Sequence, residues 1–537
     1  MDQLVVGWLE RPQLKIGLDN LGTQQPCIAI YSRLLPGITN VTDRASYFGF
    51  YPWFLRAFEQ HFPDATDIDF RTALRRADCL LTLVAERHDI ASGGNDAALH
   101  GAACAGRQKL RPAAVALSDG GALNINEYAD RTEGNPKRYF KNPLGGLGQY
   151  YLGPLRDEYL VLVGNTRSGV RYTHEHGEPL AISFADGLDE ERFFGTLAQE
   201  TIDARDLDAL VDFCPCSIHT GRRSQAQQHL ITLLLGDHSA GGMARATTFH
   251  LLMEFLEIAD GAPSTDAVKD FLGSCYAGAI AADEWVVAGA LEQSRSNWAL
   301  YARNEMMSLA WYTFFKLALD ELDGQPKPFQ DVRRFADWLL TRPSFADLGL
   351  QDFDDILADD TASAPELLDL LDSDHELALW RRITDVRQPS IDAACDMLVR
   401  LVTRWGQETH CYAPMSLPKG ALASYPLTLD SLNRLAAQRW RGLSAQAWLK
   451  SLLIEVLSAH QRVAIRKLGE SGEDTLMFRI SEAGMTVQRK LDGVVETQPR
   501  VRQALQVLLD LGLTTSHAGT LPILTDLGRQ TLAGLRS

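Results

Sequence analysis

Cysteine is sparse, eight residues scattered over 537, so no disulfide framework holds the chain and the usage suits a reduced cytosol. A basic start followed by an apolar run is also missing: "MDQLVVGWLERPQLKIG" carries no secretory signal. No segment approaches the roughly 18 uninterrupted apolar residues of a membrane span, so no membrane partner is expected. Positive charge is in deficit, with 52 Lys and Arg against 69 Asp and Glu and a net charge of −17, which sets the chain as a whole against polyanions. No Gly-Lys-Ser/Thr follows the glycine-rich "NPLGGLGQYYLG", and no buried strand leads into it, which argues against a nucleotide phosphate loop. No repeat of fixed period is present, which disfavours a solenoid. These absences describe a cytoplasmic protein for which no cofactor is expected.

What is present is enough apolar residue, 45%, to bury several cores, and enough length for roughly three or four domains. Charge is unevenly placed. Residues 341–380 hold eleven Asp/Glu and one Arg, whereas 441–537 hold twelve Lys/Arg and nine Asp/Glu. The acidic run reads as a solvated face or linker, and the C-terminal end as the region where a polyanion is best tolerated.

The patterning is mainly α with small β-hairpins, an α+β chain. Thr42 is placed to cap a helix, "DRASYFGFYPWFLRAFEQHF", whose aromatics at 47, 50, 51, 54 and 58 form one face, with Pro52 as a kink. That face reads as core; as a stacking platform for bases it would be flanked by Arg44 and Arg56. "VLLDLGLTTSHAGTLPILTDLGRQTLAGL" (507–535) runs helix, turn, two-stranded ribbon, closing helix, the order of a winged helix. Residues 144–181 repeat that plan: Thr173-x-x-x-Gly177-x-x-Leu180-Ala181 answers Thr525-x-x-Gly528-x-x-x-Leu532-Ala533. Ser444 caps a long helix that feeds the hairpin "TLMFRISEAGMTVQRK", and Pro499 suits the first residue of the helix before the wing. The organisation expected is a helical region 1–110, a winged helix within 111–185, a helical domain 186–335, an acidic segment 336–385, and a helical region 386–537. The last of these ends in a winged-helix module at 441–537.

Four residues on the polar side of helix 499–511, Arg500, Arg502, Gln503 and Gln506, are the first candidates for duplex DNA. Arg suits phosphate or guanine and Gln suits adenine, if this helix lies in a major groove. The same side equally suits water or a protein partner. Around the other module, Lys137, Arg138, Lys141, Arg167 and Arg171 supply cations for backbone contact, while its helix offers little to read bases with. No metal site is expected. The nearest thing to one is Cys214, Cys216 and His219 in "CPCSIH", with His410 and Cys411 elsewhere; Cys-x-Cys falls short of the two-to-four-residue spacing of structural zinc pairs. "GLDNLG", "AERHD" and "HEHG" hold reactive atoms at spacings that mean nothing alone, so no catalytic residue is assigned.

The block "IAIYSRLLPGITNVTDRASYFGFYPWFLRAFE", followed by "NPLGGLGQYYLGPL", resembles a group of bacterial proteins of phage- and plasmid-defence gene clusters. The shared features are a Leu-Pro-Gly turn, a Thr-x-Arg-Ala step and a Tyr/Phe-rich helix; they cover about the first 190 residues and, loosely, the C-terminal module. The resemblance implies work in genome defence beside other subunits of a complex, and transfers no catalytic residue. The leading expectation is therefore a non-catalytic DNA-engaging or scaffolding subunit. One alternative is a kleisin-like subunit whose winged helices grip an SMC-like ATPase. Another is a nuclease effector whose carboxylates converge only in the fold.

Overall fold

The computed structural model describes residues 19–165, 167, 169–237, 241–280, 283–323, 327–346, 352–355, 376–385, 390–405, 426–494 and 496–536. Half of the acidic segment 336–385, together with His410 and Cys411, lies outside the described residues. The chain is mainly helical, with small two-stranded antiparallel sheets. No helix among the described residues is long and apolar enough to cross a membrane.

Two compact units divide the chain: residues 1–32 with 272–499, and residues 33–271 with 500–537. Each joins stretches far apart in sequence, which five consecutive segments do not express.

The unit of 272–499 is built on the helix Ala290–Leu322, which buries Trp298, Trp311, Tyr312, Phe314 and Phe315. It is apolar around most of its circumference because it is surrounded, packing on helices Ile391–Trp405 and Ala445–Ser471. Ser444 caps the latter as expected, its side chain accepting the Ala447 amide. The expected hairpin forms as Phe478–Ser481 paired with Gly484–Val487. Buried His460 donates from Nδ1 to the Asn20 carbonyl (3.0 Å) and accepts the Met477 amide at Nε2 (2.9 Å). Both nitrogens are thereby committed to the neutral ring, and burial pulls its pKa down to about 4.

The other unit begins with helix α1 (Ser46–His61), whose Tyr47, Phe50, Tyr51, Phe54 and Phe58 are all buried. The aromatic face is therefore core. Thr42 does not cap α1; its hydroxyl accepts the Thr39 amide at 2.7 Å and closes the preceding turn. Helix α2 (Asp67–Ala91) starts from a reciprocal capping box between Thr66 and Asp69.

Then comes the first of two similar modules. A ribbon, β1 (Leu162–Asn165) with β2 (Gly169–Tyr172), leads into helix α3 (Gly177–Ala185), which packs on α1. Helix α4 (Gly242–Ala259) supports the second module, which returns from the far end of the chain. It consists of helix α5 (Val501–Asp510), a ribbon of β3 (Thr514–Thr515) with β4 (Ile523–Leu524), and helix α6 (Asp526–Arg536) on α4.

One device closes both modules. Thr173 donates its amide to the Val161 carbonyl (2.9 Å) and its hydroxyl to the Leu160 carbonyl (2.8 Å), while the hydroxyl accepts the Gly177 amide (3.0 Å). Thr525 donates its amide to Leu513 (3.0 Å) and its hydroxyl to Gly512 (2.7 Å), and accepts the Gly528 amide (3.0 Å). A Cβ on Gly177 would stand 2.3 Å from the Val161 oxygen, and one on Gly528 2.1 Å from the Leu513 oxygen, so only glycine fits either place. Two positions before each ribbon the backbone is left-handed, at Leu160 (φ +54°) and Gly512 (φ +69°). Leu180 and Leu532 fill the core behind each lock.

Candidate functional site

The DNA candidates fall into two groups with different surroundings. In the second module the helix starts at Val501, with Arg500 left-handed (φ +63°) before it, so Pro499 stands outside the helix. Arg500 reaches the Leu35 carbonyl at 3.5 Å. Gln503 is 1% exposed and donates to Asp43 (3.2 Å); Gln506 donates to the Ala98 carbonyl (2.9 Å) and to Asp510 (2.8 Å). Arg502 is exposed, 3.7 Å from Asp43. The supposed polar side is thus turned largely inward. The ribbon is engaged too: Ser264 donates its amide to the Gly519 carbonyl (2.9 Å), and Leu521 to Ala262 (2.9 Å).

Around the first module the cations lie differently. Lys137 pairs with Glu127 and lies over the Tyr128 ring; Arg138 is half-buried. Lys141 is exposed, its amide donating to Gln149. Arg167 and Arg171 are exposed on the ribbon, and their guanidinium groups make no hydrogen bond or ion pair among the described residues. The neighbouring glycines serve packing: Gly146 donates its amide to buried Asp78 (2.7 Å), and a Cβ there would stand 2.7 Å from the Tyr51 hydroxyl.

A buried hub links the Thr-x-Arg-Ala step to chemistry. Arg44 of that step is fully buried and pairs with Asp510 at 2.9 Å, while the Ala45 amide donates to the same carboxylate (2.9 Å). The Arg44 guanidinium also donates to the carbonyls of Ala98 (2.8 Å), Leu99 (3.1 Å) and Ala102 (3.0 Å). It therefore fixes the turn that carries His100.

That turn brings His100 beside Cys214, Nδ1 to Sγ 3.3 Å, while His88 on the last turn of α2 stands 3.3 Å from the Cys216 sulfur. The two imidazoles meet edge to face at 4.5 Å. The four ligand atoms lie within 4.8 Å of one another, and His100, Cys214 and Cys216 are buried. Pro215, at φ −50°, starts the short helix Cys216–His219, and the Ser217 amide closes a turn onto the Cys214 carbonyl (2.9 Å), so both sulfurs are presented together. Sharing a proton with Cys214 and facing two imidazoles, the Cys216 thiol is held well below the usual range, while burial pushes Cys214 up. Among the described residues this is the one group of His, Cys, Asp and Glu close enough to share an ion.

Cys214 and Cys216 thus belong to a group close enough to share an ion, but His219 does not: its Nδ1 donates to the Leu509 carbonyl at 2.6 Å. The partners are His88, from "AERHD", and His100, both more than a hundred residues upstream. No local spacing signals them, because α2 and the Arg44-held turn meet the Cys-Pro-Cys turn only in the fold. Compared with family models, curated proteins and solved structures, the chain matches none.

Proposed function

We propose that this protein is a non-catalytic, DNA-engaging subunit of a multi-protein bacterial genome-defence complex, touching duplex DNA through its phosphates with the β1–β2 ribbon. The observation that carries the reading is the pair of exposed, uncommitted arginines, Arg167 and Arg171, on a ribbon whose counterpart in the second module is bonded to the loop at 262–264. Backbone contact by two or more cations tolerates a net acidic chain, since screening confines attraction to charges within about 10 Å. The genome-defence part rests on the resemblance of the N-terminal block. Base reading by α5 forms no part of this contact, because Gln503 and Gln506 already bond within the unit. The kleisin-like alternative needs a second module free to grip a partner, and no observation here favours it.

The test is fluorescence anisotropy of labelled duplexes over a salt series. Wild-type protein is expected to bind with little sequence preference and to weaken steeply with salt. Arg167→Ala/Arg171→Ala should lower the log–log slope by about 2, roughly one for each phosphate no longer neutralised. Binding that is absent, or that is unchanged in the double variant, overturns the assignment.

A further inference from the structure

We infer that His88, His100, Cys214 and Cys216 bind one structural zinc ion. The set stands apart from the DNA reading and needs none of its residues.

The four ligand atoms lie close enough together to surround one ion. Zinc bonds of about 2.3 Å to sulfur and about 2.0–2.1 Å to nitrogen require nitrogen–sulfur edges near 3.6 Å and a sulfur–sulfur edge near 3.8 Å. Two nitrogen–sulfur edges here are 3.3 Å, and no pair exceeds 4.8 Å, so closing the set asks for side-chain shifts of about 1 Å. The donors are the soft and borderline kind that select zinc over magnesium or calcium. All four positions are protein side chains, which is the composition of a closed, structural centre.

A purely apolar account of these residues is poor. Each imidazole points Nδ1 at a sulfur, and sulfur is a weak hydrogen-bond partner for buried His100 and half-buried His88. A shared cation supplies the missing interaction to all four at once.

The site also has an architectural consequence. The ion would tie the end of α2 and the His100 turn to the helix Cys216–His219, on which the second module rests. There His219 donates to Leu509, Gln227 donates to the carbonyls of Ile218 (3.0 Å) and Leu511 (2.9 Å), and a Cβ on Gly512 would stand 2.5 Å from the His219 oxygen. Removing the ion should therefore loosen residues 501–536 before the rest of the unit.

The experiment uses the full chain, purified without a polyhistidine tag or chelator. Elemental analysis is expected to give one zinc per chain, released stoichiometrically when a mercurial titrates the thiols. Exchange into Co²⁺ should produce the visible bands of a tetrahedral thiolate-bound ion. Hydrogen exchange after zinc removal should speed up at 501–536. Cys216→Ser and His100→Ala should abolish binding, whereas His219→Ala should keep the zinc. The Co²⁺ spectrum of wild-type protein carries the test even where a variant fails to fold. Substoichiometric metal with no uptake of added zinc under reducing conditions overturns the proposal, as does full retention in Cys216→Ser; full occupancy by a different metal overturns the choice of zinc.

Discussion

The two modules of the 33–271/500–537 unit are closed by the same threonine–glycine lock, yet they stand in different surroundings. In the second, the leading helix α5 is buried nearly all round, Asp510 pairs with Arg44, and the ribbon bonds to the loop at 262–264. In the first, the ribbon is exposed at Arg167 and Arg171, and the module is tethered through Glu158, paired with Arg245, and through Asp78, which accepts the Gly146 amide. A shared local device thus fixes the shape of a module without fixing its use. Use depends on which faces the rest of the unit covers.

The largest expected break in this comparison is Asp510→Ala. It leaves the Arg44 guanidinium buried beside one carboxylate fewer, and losing one partner of a buried pair costs about 3–5 kcal/mol. Urea unfolding should show a much earlier transition; the first module's nearest counterpart is Glu158, which pairs with fully buried Arg245 at 2.9 Å.

Next comes the pH dependence of the other tether. Burial pushes the Asp78 carboxyl from its ordinary 3.8 up to about 7, partly offset by the Gly146 amide and Tyr51 hydroxyl. The folded chain therefore keeps a proton there that the unfolded chain gives up above about pH 4. The stability from this group is full below that value and is lost as pH rises through 7, by on the order of 4 kcal/mol at about 1.4 kcal/mol per unit. Asp78→Asn should remove the dependence, so that the urea midpoint of the variant gains on wild type between pH 5 and 8. A constant difference across that range would show that Asp78 is ionised throughout.

A smaller effect probes the lock itself. Gly177→Ala and Gly528→Ala each press a methyl on a backbone oxygen and should each cost about 2–3 kcal/mol. Similar losses in thermal midpoint would mark the two locks as equivalent; a large loss at one alone would mean the other relaxes freely.

Much of the fold was legible. Thr173, Gly177, Thr525 and Gly528 were visible as a repeated pattern because the lock is local, made by residues within about fifteen positions of one another. The cap at Ser444 and the hairpin at 478–487 were readable for the same reason. Three expectations failed where a competing partner or backbone constraint lay outside the pattern. Thr42 turns to the Thr39 amide instead of capping α1, Pro499 stays outside α5, and Gln503 and Gln506 bond inward to Asp43 and Ala98. The metal-ligand set was half legible: "CPC" drew notice, but His219 lies closest in sequence and points elsewhere, while His88 and His100 arrive on other elements.

The sequence by itself determined the helical class, the places of the ribbons and the two locks, since periodicity, capping and glycine sterics act over a few residues. Only the tertiary structure decided which polar side chains meet solvent and which meet one another. Arg44 is indistinguishable in the sequence from Arg56, yet it lies buried against Asp510, because burying a charge depends on a partner 466 positions away. The same holds for His88, His100, Cys214 and Cys216, whose convergence follows from the packing of α2 and two turns rather than from any spacing along the chain.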